Sequence, residues 1–161
     1  MNRVLLVVDL QSEFVTDTEG MSRFQDCINY IEENSSEYDK VIALIYEQDP
    51  EFKNMSRLVN WEECKDVKPL AFNPQFTYFH CGYTSKLLQD ILSPDDIVDI
   101  IGFDTDACVL NTAFEVFNVG CTMRIWERLC WSSGGKEYHE AGLKVMRRQF
   151  VNAVREDLIQ G

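Results

Sequence analysis

Three side chains capable of nucleophilic chemistry stand at the ends of predicted strands. Asp9 directly follows one apolar run, His80 closes another, and Cys108 comes shortly after a third. The carboxyl ends of parallel strands share one edge of a sheet, and ligands bind at that edge. A thiol, a carboxylate and an imidazole gathered there form a set in which one group attacks, one moves protons and one sets the charge. We therefore predict a nucleophilic site built from Asp9, His80 and Cys108.

The cysteine of this set falls in the first turn of a predicted helix that runs to about residue 119. Backbone N–H groups in a first turn lack partners within the helix, and the helix dipole favours negative charge there. This position predicts that the Cys108 thiol is biased toward the thiolate. Two other roles remain open for Cys108, a small buried hydrophobic residue and a redox-sensitive thiol.

The elements that must position these residues alternate between strands and helices. Apolar runs predict strands at 4–8, 41–46, 76–80, 97–102 and 121–126, with a short last strand within 150–154. Amphipathic spacing predicts helices at 21–31, at 108–119, through Leu87, Leu88, Ile91 and Leu92 after a Thr84 cap, and through His139, Leu143 and Met146. This order predicts a single α/β domain over residues 1–161, with a doubly wound, Rossmann-like, mostly parallel sheet of about six strands and helices on both faces.

Composition narrows the class of partner. The net charge of −12 argues against binding to nucleic acids or anionic membranes, both of which need a basic face. No apolar run is long enough to span a bilayer, and the first residues do not resemble a signal peptide, so we expect a cytoplasmic protein. The six cysteines show no CxxC spacing, which favours free thiols over a disulfide framework.

Three segments of the chain resemble the isochorismatase-like cysteine hydrolases. Residues 7–14, VVDLQSEF, are similar to the opening of that family, where a strand ends in Asp-x-Gln with an aromatic residue shortly after. Residues 102–113, GFDTDACVLNTA, resemble its nucleophile motif, and residues 132–143, SSGGKEYHEAGL, a pattern near the end of its smaller members. The resemblance covers most of the chain in the right order, and only 47–75 is indistinct.

This resemblance implies hydrolysis of an amide or ureido C–N bond in a small molecule, as in nicotinamidases and N-carbamoyl amidohydrolases, without an organic cofactor. Cys108 would attack the carbonyl and form a thioester, while Asp9 moves the protons. Backbone N–H groups around Ala107 and Cys108 would hold the oxyanion, next to a cis peptide between Phe103 and Asp104. Family members are commonly dimers or tetramers, so we expect a homo-oligomer.

The chain departs from the family at one catalytic position. The family has a lysine at the end of the third strand, and His80 stands in that place, with Lys86 too far along the chain to substitute for it. If Asp9 keeps His80 protonated, the set works with a pH limb near neutrality, whereas a neutral His80 makes hydrolysis slow or absent. A hydrogen-bonded pocket histidine without a catalytic role is the third possibility.

Two functional alternatives follow from the same residues. The family includes isochorismate-type vinyl-ether hydrolases that rely on the acid and dispense with the cysteine, although this chain retains Cys108. The other alternative is a degenerate member that binds a small molecule or a partner protein without turnover, which the replacement at His80 favours.

Metal and substrate ligands are less clearly marked. Nicotinamidases of the family hold a metal through an acid and histidines near the end of the second strand, and here residues 46–50 contain no histidine. His139 is interpreted as a packing or capping residue, and we predict no metal site. The loop 47–75, with a short predicted helix around Met55, Leu58 and Trp61, would lie over the mouth of the site. The candidates for an apolar substrate slot are Phe14, Tyr46, Trp61, Tyr83 and Trp131, and Gln11 is a further substrate-binding candidate.

Overall fold

Parallel strands form the centre of the molecule. In chain order they are β1 (Arg3–Val8), β2 (Lys40–Tyr46), β3 (Phe76–His80), β4 (Ile97–Phe103), β5 (Thr122–Trp131) and β6 (Val154–Arg155). The computed structural model describes residues 1–61, 67–83 and 88–156. All six strands lie in one sheet in the order β3-β2-β1-β4-β5-β6, and every pair is parallel. The strand order reverses between β1 and β4, which is the switch point where such sheets bind ligands.

Helices cover both faces of this sheet. They are α1 (Thr18–Asn34), α2 (Leu88–Ile91), α3 (Cys108–Val119) and α4 (Lys136–Gln149), with shorter helical turns at Ser12–Phe14, Ser35–Glu37 and Met55–Val59. Alternate residues of β1 point to opposite sides: those at 4, 6 and 8 pack with α2, α3 and α4, and those at 5 and 7 pack with α1. The predicted doubly wound α/β fold is confirmed.

Several element boundaries differ from the prediction. The first helix begins at Thr18 because the Asp17 carboxylate accepts a hydrogen bond from the Gly20 N–H at 2.6 Å, a cap that the apolar spacing does not reveal. The fifth strand continues through the charged pair 127–128 to Trp131. The last strand is Val154–Arg155, and residues 150–153 form a turn before it. Thr84, Lys86 and Leu87 lie outside the described residues. No helix in the part of the chain that the structure describes is long and apolar enough to cross a membrane.

Two glycines set how closely the elements near the switch point approach. Gly102 has φ +126°, and a Cβ there would lie 2.0 Å from the carbonyl oxygen of Val8 on the neighbouring strand. Gly142 of α4 lies against the turn before α3, where a Cβ would meet the Thr105 carbonyl oxygen at 2.7 Å. The absence of both side chains lets β1, β4 and α4 converge on the segment between β4 and α3.

Candidate active site

The three predicted catalytic residues meet at the carboxyl edge of the sheet, at its switch point. The exposed fractions of Asp9, His80 and Cys108 are 0%, 7% and 5%. The Nε2 atom of His80 lies 2.6 Å from Oδ1 of Asp9. The second carboxylate oxygen, Oδ2, is buried and has no hydrogen-bond partner among the described residues. Oδ1 of Asp9 is therefore bound by the imidazole, and Oδ2 is available to accept a proton.

A network of backbone contacts fixes the orientation of Asp9. Asp9 adopts the left-handed conformation with φ 45°, which is uncommon outside glycine. Its N–H donates to the Leu44 carbonyl at 2.8 Å. Gln11 binds the neighbouring strand end, because its side-chain amide donates to the Tyr46 carbonyl and accepts from the Tyr46 N–H at 3.0 and 2.9 Å. The structure thus gives Gln11, a substrate-binding candidate, a role in holding the turn after β1 against β2.

The electrostatics of Cys108 overturn the predicted bias toward a thiolate. Burial raises the pKa of the Cys108 thiol well above its ordinary value, and the negative charges of Asp9 and Asp104 raise it further. A hydrogen bond from the backbone N–H of Asp104 acts in the opposite direction and is the weaker effect. Desolvation and the neighbouring carboxylates therefore outweigh this hydrogen bond, and the resting thiol keeps its proton.

The turn between β4 and α3 contains the predicted cis peptide between Phe103 and Asp104. The Asp104 carboxylate accepts hydrogen bonds from the N–H and the hydroxyl of Ser133, which connect this turn to the one before α4. Burial raises the pKa of Asp104 to about 6 although both hydrogen bonds act to lower it. The sequence shows Ser133 only as part of a turn motif and does not reveal this connection.

Backbone donors at the start of α3 differ in their availability. The Ala107 and Val109 N–H groups both donate to the Asp104 carbonyl at 3.0 Å. The N–H of Cys108 has no acceptor within the described part of the chain. Of the two donors predicted for an oxyanion, Cys108 is thus free and Ala107 is engaged in the resting site.

Three of the predicted aromatic residues form a cluster beside His80. The rings of Tyr46 and Trp61 stack with centroids 4.8 Å apart, and Phe14 meets Trp61 edge-on at 5.1 Å. Tyr46 in turn contacts the imidazole of His80 edge-on at 5.9 Å. Phe14, Tyr46 and Trp61 thus form an aromatic cluster beside the imidazole, and they remain candidates for lining an apolar substrate slot.

The remaining two aromatic candidates lie elsewhere. Tyr83 is 44% exposed after β3. Trp131 lines a separate cleft of about 600 Å³, where its indole N–H donates to Asp17 and the guanidinium of Arg23 lies over its ring. Asp17 caps α1 and Arg23 lies within it, so these partners hold Trp131 in that cleft and away from the aromatic cluster.

His139 is the second histidine of the chain, and it is buried beneath Trp131. Its exposed fraction is 3%, its ring is tilted against the indole at 4.7 Å, and Nδ1 lies 2.6 Å from the Thr105 hydroxyl. Burial, with the positive charges of Arg23 and Arg147, lowers the pKa of His139 to about 4. His139 is therefore neutral near pH 7.

This lowered pKa makes stability depend on pH. The pKa of His139 is about 6.5 in the unfolded chain and about 4 in the folded protein. Between these two pH values the unfolded chain binds a proton at His139 and the folded protein does not, so the free energy of unfolding decreases as the pH falls. We expect His139 alone to lower the free energy of unfolding by about 2 kcal/mol between pH 7.5 and pH 5. Urea unfolding of the wild type and of His139→Asn, which keeps a polar partner for Thr105, measures the difference. Equal pH dependence in both proteins would contradict the burial argument.

The residues near the end of β2 do not fit the metal site of the nicotinamidases. Within the described ranges, no group of three or more His, Cys, Asp or Glu side chains is placed to hold a metal ion. Glu47 and Asp49 are exposed, and both ring nitrogens of His80 already lie within hydrogen-bond distance of protein oxygens.

Solved structures share this fold at low sequence identity. The nicotinamidase PncA from Bacillus subtilis superposes with a TM-score of 0.73 at 20% identity, covering 97% of this chain and 100% of its own. The pyrazinamidase/nicotinamidase from Streptococcus mutans gives 0.75 at 16% identity, with coverage of 95% and 99%. The N-carbamoylsarcosine amidase from Thermoplasma acidophilum gives 0.71 at 20% identity, with both chains covered in full. No curated protein matches the chain in sequence.

A sequence model of one family covers almost the whole chain. The model of the isochorismatase domain matches residues 3–157, which include the carboxylate, the imidazole and the thiol of the site. The resemblance carried by the segments around Asp9 and Cys108 is therefore confirmed over the full fold. The chain belongs to the isochorismatase domain family.

Proposed function

We propose that this protein is a cysteine hydrolase that cleaves the C–N bond of a small carboxamide or ureido compound. The proposal rests on the different surroundings of the two carboxylate oxygens of Asp9. Its Oδ1 is bound by His80, whereas Oδ2 is buried and has no hydrogen-bond partner among the described residues. The Asp9 side chain also lies close enough to Cys108 to raise the pKa of the thiol. A buried carboxylate next to a protonated thiol can act as the general base that removes the thiol proton.

The first half of the reaction forms a thioester. As Cys108 Sγ bonds to the substrate carbonyl carbon, the thiol proton moves to Oδ2 of Asp9. The carbonyl oxygen takes the π electrons, and the free N–H of Cys108 is the donor available to it. When the tetrahedral centre collapses, the C–N bond breaks and the proton on Asp9 passes to the leaving nitrogen. A primary carboxamide thus releases ammonia and leaves an acyl group on sulfur.

Hydrolysis of the thioester regenerates the site. Asp9 takes a proton from water, the resulting hydroxide oxygen attacks the thioester carbon, and the C–S bond breaks. The thiolate recovers the proton from Asp9, and the product leaves as a carboxylic acid. Because Cys108 lies directly beside the base, its position favours this route over a vinyl-ether hydrolysis that needs only the acid.

The aromatic cluster suggests which substrates to test first. Tyr46, Trp61 and Phe14 favour a flat or apolar group next to the carboxamide. The compounds named for the structural relatives supply a starting panel: nicotinamide, pyrazinamide and N-carbamoylsarcosine. We expect turnover of a planar carboxamide in preference to the others, and we further propose that the active form is a homo-oligomer.

Release of ammonia from this panel tests the proposal. We expect Cys108→Ala to lower the rate of ammonia release at least about 10³-fold, because the covalent step disappears. Cys121→Ala is the matched control, since the Cys121 thiol binds the Ser93 carbonyl, outside the catalytic set. If amides raise the melting temperature of both the wild type and Cys108→Ala but neither protein releases product, the chain is a binding protein and the proposal is wrong.

A further inference from the structure

Both ring nitrogens of His80 face hydrogen-bond acceptors. Nδ1 lies 3.0 Å from the Gly82 carbonyl oxygen, and Nε2 lies 2.6 Å from Oδ1 of Asp9. A carbonyl oxygen can only accept, so Nδ1 must carry a proton. An ionised carboxylate can also only accept, so Nε2 must carry one as well. A histidine that donates from both nitrogens is an imidazolium.

One alternative would satisfy the same distances. Asp9 could carry the proton and donate to Nε2, which would leave both partners neutral. The Gly82 carbonyl oxygen, 3.0 Å from Nδ1, stabilises a positively charged ring more than a neutral one, which favours the proton on the imidazole.

The groups around His80 also favour a cation. They are Asp9 at the end of β1, Tyr46 and Glu47 at the end of β2, Asp49 in the segment that follows, Cys81 after β3 and, across Asp9, Cys108 at the start of α3. The cleft beside the imidazole has a volume of about 440 Å³, and no Lys or Arg is among the described residues that line it. The ionisable neighbours are thus acids, a phenol and thiols.

The geometry points to His80 as the cation of this site, so that hydrolysis at Cys108 requires a doubly protonated His80. With an imidazolium, a carboxylate and a thiol, the buried set carries no net charge. Loss of the His80 proton would leave a carboxylate with 0% exposure and no cation beside it, which is costly in a buried site. The protonation state rests on the contacts of both ring nitrogens and on the acidic surroundings of His80, whereas its consequence for turnover rests on the proposed function.

Nitrogen NMR of the wild-type protein tests the protonation directly. The chain has two histidines, so ¹⁵N-histidine labelling gives two rings, and His139→Asn assigns them. At pH 7 we expect directly bonded protons on both nitrogens of His80, and on one nitrogen of the neutral His139. In Asp9→Asn the Nε2 proton of His80 should be lost at this pH. An unprotonated Nε2 in the wild type would overturn the inference.

A pH profile separates this inference from the proposed function. For an amide that is turned over, we expect the rate to fall on the alkaline side, and His80→Lys to move that fall to higher pH because the ordinary pKa of lysine is about 10.4. An unmoved profile in His80→Lys would contradict the requirement for a cation. An imidazolium seen by NMR in a protein that hydrolyses no amide would contradict the proposed hydrolase and leave the protonation of His80 established.

Discussion

Replacing Asp9 with asparagine is expected to lower amide hydrolysis at least about 10³-fold while leaving the protein folded. An asparagine side chain has the same shape, and its amide N–H can donate a hydrogen bond to the unprotonated Nε2 of a neutral His80. It cannot take the proton of a thiol whose pKa burial has raised, so the nucleophile is not formed. Ammonia release measures the loss, and urea unfolding confirms that the variant is folded.

The matched control is another acid at the same edge of the sheet. Asp106 accepts a hydrogen bond from the Ser132 hydroxyl at 2.6 Å and has no part in the proposed proton transfers. Asp106→Asn should keep turnover within about tenfold of the wild type. Equal losses in the two variants would mean that negative charge near the helix start matters, and that Asp9 is not a specific base.

The second large effect concerns the backbone that brings β1 and β4 together. Gly102→Ala should lower the free energy of unfolding by at least about 3 kcal/mol. Alanine disfavours φ +126°, and its Cβ would lie 2.0 Å from the Val8 carbonyl, immediately before Asp9. The strands must separate to accept it, so any variant that folds should also lose hydrolysis.

Gly82→Ala is the control for this substitution. A Cβ at residue 82 would meet the Phe52 ring at 3.8 Å, an ordinary contact, so we expect a change within about 1 kcal/mol. Urea unfolding of both variants against the wild type gives the comparison. If Gly102→Ala unfolds at the same urea concentration as Gly82→Ala, the close approach of β1 and β4 is not what fixes Asp9.

The positions of the catalytic residues could be predicted because strand ends are readable from the sequence. Apolar runs that stop at Asp9 and His80, and another that stops before Cys108, place all three at one edge once the sheet is known to be parallel. The resemblance of the motif around Cys108 to the family's nucleophile motif adds the cis peptide between Phe103 and Asp104. These features depend on chain order and local residue type, which a sequence contains in full.

The features that could not be predicted depend on distances across the fold. The pKa of Cys108 rises because the thiol is buried beside Asp9, and no local pattern around a helix start reports that burial. Trp131 lies outside the aromatic cluster because Asp17, the cap residue of α1, accepts a hydrogen bond from its indole N–H. The contact between Nδ1 of His80 and the Gly82 carbonyl oxygen involves a backbone atom, and no residue type in the sequence indicates such a contact.

Detection of an acyl group on Cys108 tests the proposed mechanism most directly. The best carboxamide of the panel would be mixed with the wild-type protein, the reaction stopped with acid during turnover, and the peptide containing residue 108 examined by mass spectrometry. We predict the mass of the acyl group on this peptide, and its absence in Cys108→Ala together with the loss of ammonia release. Ammonia release that continues in Cys108→Ala, with no acyl group on the wild-type peptide, would show that water attacks the substrate directly and that Cys108 is not the nucleophile.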